Sequence, residues 1–304
     1  MNKFHQSMIT LALTFYFPIS ASATDRICQE QEQRYEQIKS TSGTLQLNVA
    51  LDAASDKGCL NLARHLLDDG ASLASRDRQG ATPLTHAARS HHTDMVELFL
   101  SRGASVNARD LDGSTALFVA SEQDSAPIVQ LLIAHGSDVN LPGRSGLTPI
   151  EAAAYMGSES IVRLLLDKGA NPEKSDTTGK SPICYAVARG YANVTRLLLD
   201  HSINVNARYG NELTALMWAA GHEDGAGTSD VKDVIELLIA RGAQLNDQDN
   251  RGRTALMIAA SLGHEKAIDV LLAHGADRTL RDKSGKTAAD LAANDELRKK
   301  LAAL

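Results

Sequence analysis

Hydrophobic and polar positions recur along most of the chain with a period of 33 residues, which predicts a series of similar stacked units. Each period holds a stretch of small apolar residues, as at Ala153-Ala154, and then a Leu-rich stretch, as at 164–166. The spacing of both stretches is that of helices buried on one face. We therefore expect one pair of helices per period, with the small residues allowing neighbouring first helices to approach closely.

Residues that start and end helices frame both stretches. A Thr or Ser precedes each first helix, where its hydroxyl can accept a hydrogen bond from a free backbone amide. These residues are Thr82, Thr115, Thr148, Ser181, Thr214, Thr254 and Thr287. A glycine follows most second helices, because glycine suits the left-handed backbone that ends a helix. These glycines are Gly103, Gly136, Gly169, Gly242 and Gly275.

The predicted repeat domain covers residues 44–304. Its units are 44–76, 77–109, 110–142, 143–175, 176–208, 209–248 and 249–281, followed by a carboxy-terminal cap at 282–304. The unit 209–248 is longer than the others, and its insertion falls within 221–229, between the two predicted helices. Glycines and polar residues predict a flexible loop there, which is either a neutral insertion or a functional element.

One motif identifies the kind of repeat. Gly80-Ala81-Thr82-Pro83-Leu84 recurs as 146–150, and each copy is followed by Ala-Ala, a Leu-rich stretch and Gly-Ala. The pattern resembles the ankyrin repeat. This resemblance implies an all-α solenoid of stacked helix-turn-helix units with projecting turns and a concave groove, in a family whose members bind proteins. Ser202 departs from the pattern at a helix-ending glycine and Glu212 at a turn glycine.

The amino-terminal residues have a different pattern. Lys3 precedes an apolar run and then Ala21-Ser22-Ala23, which is typical of a signal peptide over residues 1–23. We expect cleavage near Ala23 and a periplasmic or secreted product without membrane insertion. Residues 24–43 predict a capping helix at the amino-terminal end of the stack. Its expected apolar anchors are Ile27, Tyr35 and Ile38.

The polar stretch 295–300 is expected to cap the opposite end of the stack, because nothing packs beyond the last unit.

The cysteines suit an exported protein, since disulfides persist in oxidising compartments. Cys28 lies in the predicted capping helix, and Cys59 lies at the start of the second helix of the first unit. Their placement permits a disulfide that fastens the capping helix to the repeats. Cys184 occupies an inward position of a first helix and is expected to remain a buried thiol.

Composition and charge narrow the range of partners. Only 4% of the residues are aromatic, and the formal net charge is −6. An acidic chain is poorly suited to nucleic acid or anionic lipid, which need a concentrated basic surface. The net charge favours a basic or neutral partner, whereas the cations of the turns could attract an acidic protein. These cations are Arg78, Arg144, Lys180, Arg251, Arg253, Lys283 and Lys286.

Motifs for catalysis, cofactors or metals do not occur in the sequence. It has no Gly-x-Ser-x-Gly elbow, no phosphate-binding Gly-rich loop with Lys-Ser/Thr, no Cys-x-x-Cys and no His-Glu-x-x-His. We expect no enzyme activity, no cofactor and no metal. The only candidates for chemistry in the inserted loop are His222, Glu223 and Asp224. His264 and the pair His91-His92 are expected to form local hydrogen bonds between helices.

Candidate partner-binding residues follow from the exposed positions of the first helices. Aromatic residues and Arg are the usual anchors of protein interfaces, and they cluster in the middle and later units. The candidates are Tyr155, Met156, Tyr185, Arg189, Trp218, His222 and Leu262. Tyr185 and Trp218 have an alternative role, which is to fill the contact between adjacent first helices.

Two functions remain open on this basis. The first is an exported, monomeric scaffold that binds a protein partner through its groove. The second is an inhibitor or immunity protein that covers the active site of a secreted or periplasmic enzyme or toxin.

Overall fold

The computed structural model describes residues 23–201, 203–221 and 231–302. This part of the chain consists of helices joined by turns, with one isolated β-bridge between Tyr209 and Leu213. The helices are α1 Ala23–Ile38, α2 Thr44–Lys57, α3 Leu60–Asp68, α4 Pro83–Arg89, α5 Thr93–Ser101, α6 Ala116–Glu122, α7 Ala126–Ala134, α8 Pro149–Met156, α9 Glu159–Asp167, α10 Pro182–Ala188, α11 Ala192–Asp200, α12 Ala215–Ala220, α13 Val231–Ala240, α14 Ala255–Leu262, α15 Glu265–Ala273, α16 Ala288–Leu291 and α17 Asp295–Ala302.

The helices form two layers. The first helices of the units pack in sequence, from α2 through α4, α6, α8, α10, α12 and α14 to α16. The second helices from α5 to α15 form a parallel row, and each also packs against the first helix of its own unit. Alanines in the first helices, such as Ala153 and Ala259, are fully buried at these contacts. The all-α solenoid expected from the sequence is confirmed.

The predicted caps begin the first helices. The side chain of Thr115 accepts a hydrogen bond from the backbone N–H of Phe118 at 3.2 Å, and four other caps do the same. Those four are Thr82, Thr214, Thr254 and Thr287. Ser181 precedes α10 as predicted, but its hydroxyl accepts no capping hydrogen bond.

The predicted helix-ending glycines have the left-handed backbone. Their φ angles lie between 83° and 89°. These residues are Gly103, Gly136, Gly169, Gly242 and Gly275. Ser202 and the residues 222–230, which hold most of the predicted inserted loop, lie outside the described residues.

Asparagine side chains connect consecutive units. Asn107 Oδ1 accepts a hydrogen bond from the backbone N–H of Asp138 at 2.9 Å, and Asn140 accepts one from Asn171 at 2.9 Å. Asn206 and Asn246 repeat this arrangement. Glu173 has the same position in unit 143–175. Within the described part of the chain, its carboxylate accepts no such hydrogen bond, so this connection between units is missing.

The capping helix α1 is fastened at two points. A disulfide joins Cys28 to Cys59, as the sequence permitted. Tyr35 is buried, and its hydroxyl donates a hydrogen bond to Asp69 Oδ2 at 2.5 Å. Lys39 lies 2.7 Å from the same carboxylate. Its hydrogen bond, followed by that of Tyr35, lowers the pKa of Asp69.

The expectation for two anchors of α1 was wrong. Ile27 is 40% exposed and Ile38 is 48% exposed. Tyr35 belongs to the buried core and Cys28 packs against it, so these two residues, and not Ile27 and Ile38, attach α1 to the stack. At the other end of the chain, α17 buries Leu297 and leaves its charged residues exposed.

Candidate functional site

Aromatic rings and cations alternate across three neighbouring units on the side of the first helices. At one end of this group, the guanidinium carbon of Arg189 lies 4.3 Å from the ring centre of Tyr155 and 5.8 Å from that of Tyr191. Contacts of this kind attract a cation to the negative face of a ring. The rings on both sides therefore hold the planar guanidinium in position.

The group continues into the following unit. The rings of Tyr155 and Tyr185 meet edge to face, with their centres 6.1 Å apart. The ammonium of Lys180 lies 5.5 Å from the ring centre of Tyr185 and 5.2 Å from that of Trp218. We call this group the aromatic–cation row. Its members are Tyr191, Arg189, Tyr155, Tyr185, Lys180 and Trp218.

Local structure explains the position of Tyr191. Gly157 ends α8 in the left-handed region, with φ of 77°. A Cβ atom on Gly157 would lie 2.6 Å from the ring of Tyr191. The absence of a side chain at Gly157 thus allows the Tyr191 ring to cross from the next unit, and this ring in turn contacts Arg189.

The aromatic–cation row differs in exposure along its length. Tyr155 is 41% exposed and Met156, next to it, is 40% exposed. Tyr185 and Trp218 are half-buried and pack against the hydrophobic core while retaining exposed surface. Both residues therefore fill the contact between first helices and also contribute to the surface.

Of the predicted residues not yet placed, Leu262 lies beyond the Trp218 end of the row. Leu262 is 53% exposed, and its Cδ1 atom lies near Gly221 at the end of α12. Arg189, which is already a member of the row, directly follows α10, one turn after Tyr185. His222 lies outside the described residues.

A tyrosine–aspartate pair supports the centre of the row. The hydroxyl of Tyr185 donates a hydrogen bond to Asp176 Oδ2. Burial, and then this hydrogen bond, raises the pKa of Tyr185. Burial acts to raise the pKa of Asp176, but hydrogen bonds from Tyr185 and Thr178 outweigh it, and the pKa is lowered. Tyr185 therefore stays neutral beside a carboxylate that stays ionised.

Trp218 has no equivalent support. In its unit, Tyr209 stands at the position that Asp176 has in the preceding unit. The indole Nε1 of Trp218 is buried, and it has no hydrogen-bond partner among the described residues. A buried donor without a partner costs free energy, so the ring is held in place by its apolar and cation–π contacts.

Glu151 lies beneath this surface at the start of α8. Its side chain is fully buried, and Oε2 accepts hydrogen bonds from the backbone N–H and the hydroxyl of Thr148, at 2.5 and 2.6 Å. Oε1 is also buried and has no partner in the part of the chain that the structure describes. Burial raises the pKa of Glu151 to about 7, although the Thr148 hydrogen bonds oppose this change.

The histidines make local contacts between helices. His264 Nδ1 lies 2.9 Å from the backbone oxygen of Ala220, and His92 Nε2 lies 3.2 Å from that of Asp56. His86 lies between the carboxylates of Asp56 and Asp77, at 2.9 and 3.1 Å. Within residues 23–201, 203–221 and 231–302, no three His, Cys, Asp or Glu side chains form a group suited to a metal ion.

Cys184 is buried and reduced, as expected. Burial raises the pKa of its thiol to about 12, which makes the thiolate inaccessible at neutral pH. None of the helices in the described part of the chain has the length and apolar character needed to cross a bilayer.

Sequence reasoning missed two members of the row. Lys180 was assigned only to a turn, and Tyr191 was not considered. Tyr191 stands at the position that has His92 and His264 in other units. A tyrosine in place of histidine at this position could have pointed to Tyr191 as a member of the row. For Lys180 there was no such indication, because the direction of a lysine side chain between two units depends on their packing.

Comparison with known protein families identifies the family of this chain. The family model described as Ankyrin repeats (3 copies) matches residues 39–110, 107–176, 150–228 and 226–303. The chain belongs to the ankyrin-repeat family. A search of curated proteins found no match. Membership indicates a protein–protein interaction scaffold, and the family is typically non-catalytic.

Proposed function

We propose that the protein is an exported, monomeric adaptor that binds a partner protein through the aromatic–cation row and the exposed residues beside it. The proposal rests on the exposure of Tyr155 and Met156 next to Arg189, whose guanidinium contacts two tyrosine rings. Rigid aromatic residues and Arg supply most of the binding energy in protein interfaces, because they bury a large area with little loss of side-chain freedom. An interface centred here would span three units.

Export is supported by two independent features. The amino-terminal sequence has the pattern of a cleaved leader, and the disulfide between Cys28 and Cys59 needs an oxidising compartment to persist. Cell fractionation with amino-terminal sequencing tests this part. We expect a mature chain that begins near Thr24, outside the cytoplasm. A cytoplasmic chain that retains residues 1–23 would contradict it.

Capture of the partner tests the binding function. The mature protein would be expressed in its native host, crosslinked and analysed by mass spectrometry beside the double variant Tyr155→Ala, Met156→Ala. Tyr155 is 41% exposed and Met156 is 40% exposed, and neither belongs to the buried core, so their removal should leave the fold intact. The matched control is Leu45→Ala, Val49→Ala, which removes two exposed apolar side chains from α2.

A partner that the first variant loses and the control retains would support the proposal. Equal capture by all three proteins would contradict it and move the interface elsewhere on the repeats. The identity of the partner separates the two functions that remain open. Loss of activity of a captured enzyme or toxin on binding would indicate an inhibitor, whereas unchanged activity would indicate an adaptor.

A further inference from the structure

The cations of the later turns reach the surface to different degrees, while most of the carboxylates there are turned inward. Arg251, Lys283 and Lys286 are exposed, Lys180 and Arg253 are partly exposed, and Arg251 lies 3.5 Å from Asp249. In the four turns 176–180, 209–213, 249–253 and 282–286, the cations are Lys180, Arg251, Arg253, Lys283 and Lys286. The same turns hold four carboxylates, Asp176, Glu212, Asp249 and Asp282. The balance at the surface depends on which of these charges reach solvent.

Three of the four carboxylates serve their own turns. Asp249 is buried, and its Oδ1 accepts hydrogen bonds from the backbone N–H groups of Arg251 and Arg253, both at 2.8 Å. Asp282 is buried in the same way, and Asp176 accepts hydrogen bonds from Tyr185 and from its own turn. Within the described turns, only Glu212 presents an exposed carboxylate. The surface of these turns is therefore positive although the chain is acidic.

Of the earlier turns, 77–81 has one exposed cation, Arg78, and an inward carboxylate, Asp77, but the two turns that follow it lack this excess. Arg144 pairs with Glu122, and the turn 110–114 contains two carboxylates and no cation. Charges separated by more than about 10 Å are largely screened at physiological salt. A partner on the later turns would therefore respond to the local positive charge and not to the net charge of the chain.

The cations also have a regular position. Lys180, Arg253 and Lys286 each stand directly before the residue that caps a first helix, and Leu213 has this position in the intervening unit. Neighbouring helices pack about 8–10 Å apart, and an extended chain advances about 3.3 Å per residue. One unit therefore corresponds to about three residues of an extended partner.

We infer that the partner binds with an extended acidic segment that crosses the later turns. Its carboxylates would meet Lys180, Arg253 and Lys286, and an apolar residue would meet Leu213, so these residues would recur about every third position. Within the described residues, no carboxylate lies within ion-pair distance of Lys180, Lys283 or Lys286. The ammonium groups of Lys283 and Lys286 are exposed and thus available for charge-assisted hydrogen bonds. Lys180 is partly exposed, and its ammonium also lies over the rings of Tyr185 and Trp218. This inference rests on the proposed function and specifies its partner.

Selection from a random displayed library of extended peptides tests the inference. The immobilised mature protein should enrich peptides with Asp or Glu about every third residue. An enriched, labelled peptide should bind roughly tenfold more weakly to Lys283→Glu, Lys286→Glu, because these changes reverse two exposed charges. The control, Arg196→Glu, Lys299→Glu, reverses two exposed charges on second helices and should bind the peptide as the unchanged protein does.

Three results would overturn the inference: enrichment of neutral or basic peptides, no enrichment at all, or equal binding to the charge-reversed variant. An oligothymidylate that competes as well as the peptide would also overturn it, by indicating a general polyanion site. The proposed function fails separately. If the Tyr155→Ala, Met156→Ala variant loses a native partner that has no acidic segment, the binding function stands and only the acidic segment is rejected.

Discussion

The disulfide between Cys28 and Cys59 is expected to decide whether α1 stays on the stack. Tyr35 is the only residue of α1 that the structure buries among residues 24–38, and most other side chains of this helix are exposed. The bond closes a loop with a sequence separation of 31. Closure of a loop of this length stabilises the folded state by about 3–4 kcal/mol in the chain-entropy description. Cys28→Ser removes this contribution.

The consequence should be local. A loss of 3–4 kcal/mol corresponds to roughly a 500-fold increase in the equilibrium constant for opening of α1. Hydrogen exchange of backbone amides measures that constant directly, since each protected amide reports the opening of its own segment. We expect protection of residues 24–38 to fall by about this factor in Cys28→Ser, while α4 to α15 keep theirs.

Ile27→Ser is the matched control, because it places the same residue in the same helix at an exposed position that leaves the disulfide intact. It should change protection of α1 only a few-fold. If Cys28→Ser retained the protection of the unchanged protein, the Tyr35 and Asp69 contact would be sufficient to hold α1, and the reasoning from loop closure would be refuted.

Three further predictions concern stability. The pKa of Glu151 is raised from 4.5 to about 7 in the folded state, so its contribution to the free energy of unfolding is complete below pH 4.5 and is lost as pH rises through 7. Glu151→Gln should remove up to about 3 kcal/mol of this decline, measured by urea unfolding at pH 5 and pH 8, and an unchanged decline would contradict it. Glu173→Asn should stabilise the protein by about 1 kcal/mol in the same assay at pH 7, because the new Asn side-chain oxygen can accept a hydrogen bond from the N–H of Asn204. An unchanged stability would contradict the idea that a connection between units is missing here. Gly157→Ala should destabilise by about 1–2 kcal/mol, through its left-handed backbone alone, and weaken partner capture by displacing Tyr191. Normal stability with normal capture in Gly157→Ala would disprove the role of Gly157 in positioning Tyr191.

Part of the site was accessible from the sequence for a simple reason. In a repeat protein, each position of the unit has the same environment in every copy, so aligning the units identifies which residues face outward. Tyr155, Arg189 and Trp218 were found in this way. The same alignment placed the caps, such as Thr115, and the helix-ending glycines, because local hydrogen bonding and backbone conformation determine those residues.

Other features depend on contacts between units that no alignment contains. Lys180 lies between the rings of Tyr185 and Trp218 only because two consecutive units bring those rings to either side of it. The exposure of Ile27 and Ile38 was missed because the apolar residues of α1 are spread around the helix, and only packing decides which of them are buried. The positive surface of the later turns depends on the inward direction of Asp249 and Asp282, which the composition does not reveal.

The sequence by itself determined the repeat, its period, the residues that precede its first helices and its family, because these follow from local capping, glycine conformation and hydrophobic spacing. Only the tertiary structure decided which cations stand among aromatic rings and which carboxylates are buried. The physical reason is that a side chain's charge becomes available to a partner only when its neighbours in adjacent units leave it exposed and unpaired.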